Sequence, residues 1–147
     1  MGFYPGIRLV YPLKSRHHRT KGVVWEETVP LLPGYLFFET EQDLPENRLA
    51  RTSHLLRLLT YTNGDWLLRG DDDRFAEVMF QNNGRIGFSK AYYDECRRLR
   101  IVDGFLKPYE SSIIRVDHRF QTAEIGITLQ DRPMRLWLGF ELSERAS

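Results

Sequence analysis

The densest run of chemistry-bearing side chains is Lys14, Arg16, His17, His18, Arg19 and Lys21. From Arg8 to Lys21 the chain carries no Asp or Glu. Cations at this density suit contacts to phosphate, which hold a nucleic acid without reading its sequence. The same run also reads as a solvated loop. His17 and His18 are adjacent, with no Cys or carboxylate close by in sequence, so they lack a metal-ligand set. A sparser group follows near the C-terminus: Lys107, Tyr109, Arg115, His118 and Arg119. A tyrosine among cations can stack on a base, and the group reads equally as ordinary surface charge.

Residue types that could support catalysis are present without the patterns that catalysis needs. Cys96 is followed by Arg97 and Arg98, which would favour a thiolate, but no partnering histidine pattern surrounds it. Ser53 and His54 are adjacent, yet no Gly-x-Ser-x-Gly elbow holds a serine. There is no glycine-rich phosphate loop. Asp71, Asp72 and Asp73 precede a helical pattern, where acids are stabilised by the helix dipole; the calcium-loop spacing is absent. The expectation is a non-enzymatic protein with no cofactor and no metal.

Several elements must position these residues. The 147 residues suit one domain or two small ones. Composition is globular, with 41% hydrophobic, 28% charged and 13% aromatic residues, which argues against a disordered or low-complexity chain. A single cysteine precludes an intramolecular disulfide. No apolar run has the length of a membrane span and no leader pattern opens the chain, so a cytoplasmic setting without membrane contact is expected. Net charge is +1 overall, distributed as +2 over residues 1–40, −3 over 41–96 and +2 over 97–147.

Strand patterns cover Ile7–Leu13 and Val23–Val29, with the basic run as an exposed loop or hairpin tip between them. Pro30, Pro33 and Gly34 forbid a helix, and Tyr35–Glu39 reads as a strand buried on both faces. Asp43 would cap a helix over residues 44–51. Leu55–Tyr61 reads as a strand returning through Asn63-Gly64 into Trp66-Leu67-Leu68. Phe75, Val78 and Met79 have helical spacing, and Asn83-Gly84 ends that helix. After a linker over residues 84–96, the runs Leu99–Val102, Ile113–Val116, Ala123–Leu129 and Met134–Leu138 suggest a small β-barrel.

The segment Val29-Pro30-Leu31-Leu32-Pro33-Gly34-Tyr35-Leu36-Phe37-Phe38, after Tyr11-Pro12-Leu13-Lys14, resembles the signature of the NusG N-terminal (NGN) domain. Val102–Glu110, Ile113–Asp117 and Trp137–Leu142 resemble the KOW motif and closing strand of the same family. The stretch Gly84–Lys90 is closest to specialised LoaP-like antitermination paralogues. The resemblance implies an α+β NGN domain over residues 1–83, with a ferredoxin/RRM-like antiparallel sheet. It also implies a KOW barrel of the Src-homology-3 type over residues 97–147. It further implies a transcription elongation, termination or antitermination factor. Leu31, Leu32, Pro33, Gly34 and Tyr35 would bind the clamp helices of RNA polymerase, with Leu32 and Tyr35 at the interface and Leu36 and Phe37 in the core. The basic run would reach RNA or DNA at the transcription bubble. The KOW domain would bind RNA, a ribosomal protein or Rho.

Two departures accompany the resemblance. The chain begins where the family's first helix ends, so a strand and helix are expected to be missing. A monomer is then expected, with swapping open to it through an unpaired sheet edge. In the KOW loop, Phe105, Pro108 and Ser111 stand where the family has proline and glycines. The alternative to a polymerase-binding factor is a free-standing KOW-type RNA-binding module.

Overall fold

Turn residues and prolines cut the chain into short strands. The structure, a computed structural model, describes residues 7–40 and 59–143. The helix expected over residues 44–51 and most of the strand expected at 55–61 lie outside the described residues.

Strand β1 (Ile7–Val10) stops at Tyr11-Pro12, and β2 (Leu13–Thr20) starts at once. Lys21 and Gly22 both have positive φ, 51° and 80°, and make a two-residue turn into β3 (Val23–Pro30). Such turns match the twist of a hairpin. The register runs without slip from Leu13↔Pro30 to Thr20↔Val23. The basic run expected as a loop is therefore β2 itself, and only Lys21 lies in the turn. Polar residues form a strand here because its central side chains find partners across the ladder: Arg16 faces Glu27 and His18 faces Trp25.

The strand expected from Tyr35 begins later, as β4 (Phe37–Thr40), antiparallel to β1. A tight turn consumes Tyr35, whose N–H donates to the Leu32 carbonyl while Gly34 takes φ 84°. Burial then falls along the strand: Phe37 is buried, Phe38 half-buried and Glu39 exposed, so it is not covered on both faces throughout. Leu59–Tyr61 and Trp66–Leu68 are not strands either. Side chains hold this loop instead of a ladder. The Gln130 amide donates to the carbonyls of Leu59 and Trp66, and the Arg132 guanidinium donates to that of Thr60.

Helix α1 (Asp71–Gln81) forms where its periodicity predicts, with three aspartates in the first turn. It buries Phe75, Ala76, Met79 and Phe80. Asn83 and Gly84 stop it in the left-handed region, at φ 53° and 77°. Gly84 is required on a second count: a Cβ there would lie 2.5 Å from the Tyr11 carbonyl oxygen. The helix has no cation in its own last turn. Arg8 of β1 supplies one, donating to the Phe80 carbonyl at 2.9 Å.

Residues 84–96, expected as a linker, carry β5 (Arg85–Ile86), parallel to β2, and β6 (Ser89–Tyr93). Strands this short leave no readable period. The four expected C-terminal runs all become strands: β7 (Leu99–Asp103), β8 (Ile113–Asp117), β9 (Thr122–Leu129) and β10 (Arg132–Leu142). Lys107–Ser112 is a 3-10 helix with Pro108 in its first turn, where a missing N–H costs nothing. The sheet order is β7-β6-β10-β9-β8. It curls because β10 pairs β9 through Arg132–Gly139 and β6 through Phe140–Leu142. One buried cluster runs from Val10, Leu31 and Phe37 through Phe75 and Met79 to Ile125 and Phe140, so both halves share a core. The chain is mixed α/β and mostly sheet, with curled sheets and few helices, consistent with a small α+β part followed by a β-barrel. Among the described residues no helix is long and apolar enough to cross a membrane.

Candidate docking and nucleic-acid surfaces

The Pro-Gly bend distributes its apolar residues differently from the expectation. Leu31 and Leu32 are both in the core, at 4% and 5% exposure, whereas Leu36 is exposed. Leu32 thus moves from interface to core, and Leu36 from core to surface. The Leu31 N–H donates to the Pro12 carbonyl and the turn closes from the Tyr35 N–H to the Leu32 carbonyl, and both leucines join the buried cluster that Val10 of β1 and Phe37 of β4 share. Pro33 and Gly34 are exposed, and Tyr35 is half-buried against the core. Val10 pairs with Phe37, so Tyr11 and Leu36 follow just beyond the end of that ladder. Tyr11, 42% exposed, and Leu36, 37% exposed, are therefore the two exposed apolar residues at the end of this ladder. Sequence reasoning missed Tyr11, although the Tyr-Pro break after β1 was a signal that it leaves the sheet.

The basic hairpin is largely self-paired. Arg16 donates to Glu27 at 2.6 Å, and the imidazole of His18 lies 3.2 Å from the same carboxylate. The Arg16 guanidinium and His18 hold the Glu27 carboxyl below the usual carboxylate range, Arg16 first. The His18 ring packs on Trp25 with centroids 4.6 Å apart. His17 stacks on Phe88 at 4.2 Å, and its Nε2 is buried without a hydrogen-bond partner. Lys14 donates to the Trp137 carbonyl, and burial lowers its ammonium, aided by Arg16. Arg19 and Lys21 remain exposed near the tip.

The C-terminal candidates do not converge on one point. Lys107 donates to the Ile101 carbonyl at 3.0 Å, and Glu110 accepts from the N–H of the same residue. Tyr109 stacks on Phe105 at 5.3 Å, and burial raises its phenol, with a contribution from Asp71. His118 Nδ1 and the Tyr93 hydroxyl share a 2.6 Å hydrogen bond. Arg119 lies over Phe120 at 5.4 Å. Arg115 is bonded to Glu124 and lies over Trp137. Tyr109 is half-buried, not freely presented for stacking. Arg115 and Arg119 are exposed.

A groove of about 940 Å³ lies between α1, β5–β6 and β9. Phe75, Phe88, Phe105 and Tyr109 line it, and Arg74 and Arg85 stand at its side. Asp71 and Asp72 also face it but are engaged, Asp71 by Arg74 and Asp72 by Tyr61 and the Gln130 N–H. Among the described residues no group of three His, Cys, Asp or Glu could hold a metal ion. Cys96 is exposed and unbridged. No family model matches the chain, and no curated protein compared with it is significantly similar.

Proposed function

We propose that this chain is a NusG-type transcription elongation and antitermination factor, without enzymatic activity, in a cytoplasmic setting. It docks on the clamp helices of RNA polymerase through the Pro-Gly bend. The observation that carries the reading is the exposed pair Tyr11 and Leu36 at the end of the β1–β4 ladder, next to the exposed Pro33-Gly34 turn. An amphipathic helical hairpin offers the matching apolar face. The reading also draws on the Pro-Leu-Leu-Pro-Gly-Tyr-Leu-Phe-Phe segment and on the C-terminal curled sheet, which stands where the resemblance expects a KOW barrel. That sheet recruits a second partner: RNA, a ribosomal protein or Rho.

The test is binding of the full chain to a purified clamp-helix hairpin, with Leu36→Asp as the control. Salt-tolerant binding that the variant abolishes supports the reading. No binding by the folded chain removes the polymerase partner and favours the free-standing RNA-binding module.

A further inference from the structure

The row Arg115, Glu124 and Trp137 crosses three strands in direct register. Glu124 is a charged side chain on a sheet position, yet only 3% of it is exposed. Arg115 covers it with two contacts, Nε at 3.1 Å and the terminal nitrogen at 3.4 Å. Arg135 approaches the same carboxylate at 3.9 Å. Both arginine side chains stay open to solvent, 62% and 68% exposed. One buried carboxylate thus faces two exposed guanidinia, Arg115 in hydrogen-bond contact and Arg135 at the edge of ion-pair range. Arg115 also lies 5.4 Å over the indole of Trp137, and Lys14 fixes the Trp137 carbonyl from behind.

Opposite Arg135 stands Gly126, which is exposed and has no side chain. The Ile114 side chain comes within 3.3 Å of where a Cβ on Gly126 would sit, and beside it lies a shallow hollow of about 550 Å³ lined by Gly126, Ile127, Thr128, Pro133, Met134 and Arg135. The other carboxylate of this face, Asp117, is engaged by the N–H groups of Arg119 and Phe120.

The geometry points to this face as a site for single-stranded nucleic acid. A base stacks on the Trp137–Arg115 pair and enters the hollow, and Arg115 and Arg135 take the flanking phosphates. Planar guanidinia and an indole are the groups that stack on unpaired bases. Arg115, hydrogen-bonded to Glu124 and resting over the indole, is pre-organised, so little of its rotamer freedom is lost on binding. An acidic peptide would use the charge but leave the indole and the hollow idle. This inference rests on the proposed reading in that it names the second partner of the C-terminal sheet.

The experiment is fluorescence anisotropy of a labelled 12-nucleotide single-stranded RNA, and of the matching DNA, titrated with the full chain at several salt concentrations. Circular dichroism verifies the fold of each variant. Trp137→Leu is expected to weaken binding about tenfold, within the range for one stacked base. Arg135→Gln is expected to lower the slope of log K against log salt by about 0.7, the loss of one phosphate contact on a single strand. Arg115→Lys keeps the charge and loses the planar stack, so affinity falls while the slope holds. Binding of RNA alone or of RNA and DNA alike supports the site, the first adding a ribose contact. Unchanged affinity in folded Trp137→Leu overturns it, as does absence of binding by the wild type. So does a poly-glutamate peptide that competes as well as RNA. The clamp-helix assay is run on the same proteins. Arg135→Gln that docks on polymerase like the wild type but binds RNA with the lowered slope supports this site and that reading together. RNA binding without docking removes the polymerase reading alone.

Discussion

Gly139 lies directly under the ring of Phe88: a Cβ on Gly139 would come within 2.6 Å of the ring and 2.9 Å of the Ser15 carbonyl oxygen. The glycine lets β2 cross β10 at contact distance, and Phe88 then carries the His17 ring above it. Gly139→Ala should cost about 1–3 kcal/mol, the usual penalty of overpacking. Gly87→Ala is the control, because nothing lies within 4 Å of a Cβ there. Thermal unfolding should show a lowered midpoint for the first variant and little change for the second.

The pairing of Glu27 with Arg16 makes the hairpin acid-sensitive. The Glu27 carboxyl is lowered from the ordinary 4.5, mainly by the Arg16 hydrogen bond. Its folded state therefore holds the proton less tightly than its unfolded state. The resulting stability is present above about pH 4.5 and is lost as pH falls through the lower folded value. Urea unfolding should show wild type exceeding Glu27→Gln at pH 6, with the gap closing toward pH 3. A gap that stays constant with pH would refute the ion-pair account.

Tyr61 ties the loop before α1 to the helix. Its hydroxyl donates to Asp72 at 2.6 Å and accepts from the Arg69 N–H at 3.1 Å. Asp72 also accepts from the Gln130 N–H at the turn between β9 and β10. Tyr61→Phe removes a bond to a charged acceptor in a residue only 5% exposed, and should cost about 1.5–3 kcal/mol. Hydrogen exchange should rise in the loop around Tyr61 and at the Gln130 amide together.

Leu32 and Leu36 should separate stability from docking. Leu32→Ala removes a buried side chain and should cost about 2–5 kcal/mol. Leu36→Asp changes an exposed position and should leave the unfolding midpoint within a degree or two while abolishing clamp-helix binding. Loss of stability in the second variant would return Leu36 to the core.

Much of the local structure was legible in the sequence. Helix α1 follows from the spacing of Phe75 and Met79 and from the Asn83-Gly84 stop, since both act within a turn or two of chain. The four C-terminal strands follow from apolar runs between turn residues. Of the hairpin only β3 is legible as a strand: the basic strand β2 reads as a loop because the partners of Arg16 and His18 lie across the ladder, and the strand read over Ile7–Leu13 ends at Val10 and pairs with β4 instead of β3. The Tyr35 strand was misplaced because the Pro33-Gly34 turn extends one residue further than its punctuation suggests. Strands β5 and β6 were missed because pairing with β2 and with β10, distant in sequence, is what makes them strands.

By itself the sequence determined which segments are helix or strand wherever the deciding interactions are local, and it supplied the clusters of cations and the apolar Pro-Gly segment. Only the tertiary structure decided which of those residues face solvent. Leu32 and Leu36 differ by burial, not by type, and burial depends on how β1 and β4 meet. Likewise Arg115, Glu124, Arg135 and Trp137 are spread over three strands. Register alone brings them together, and register is set by long-range pairing that no local pattern encodes.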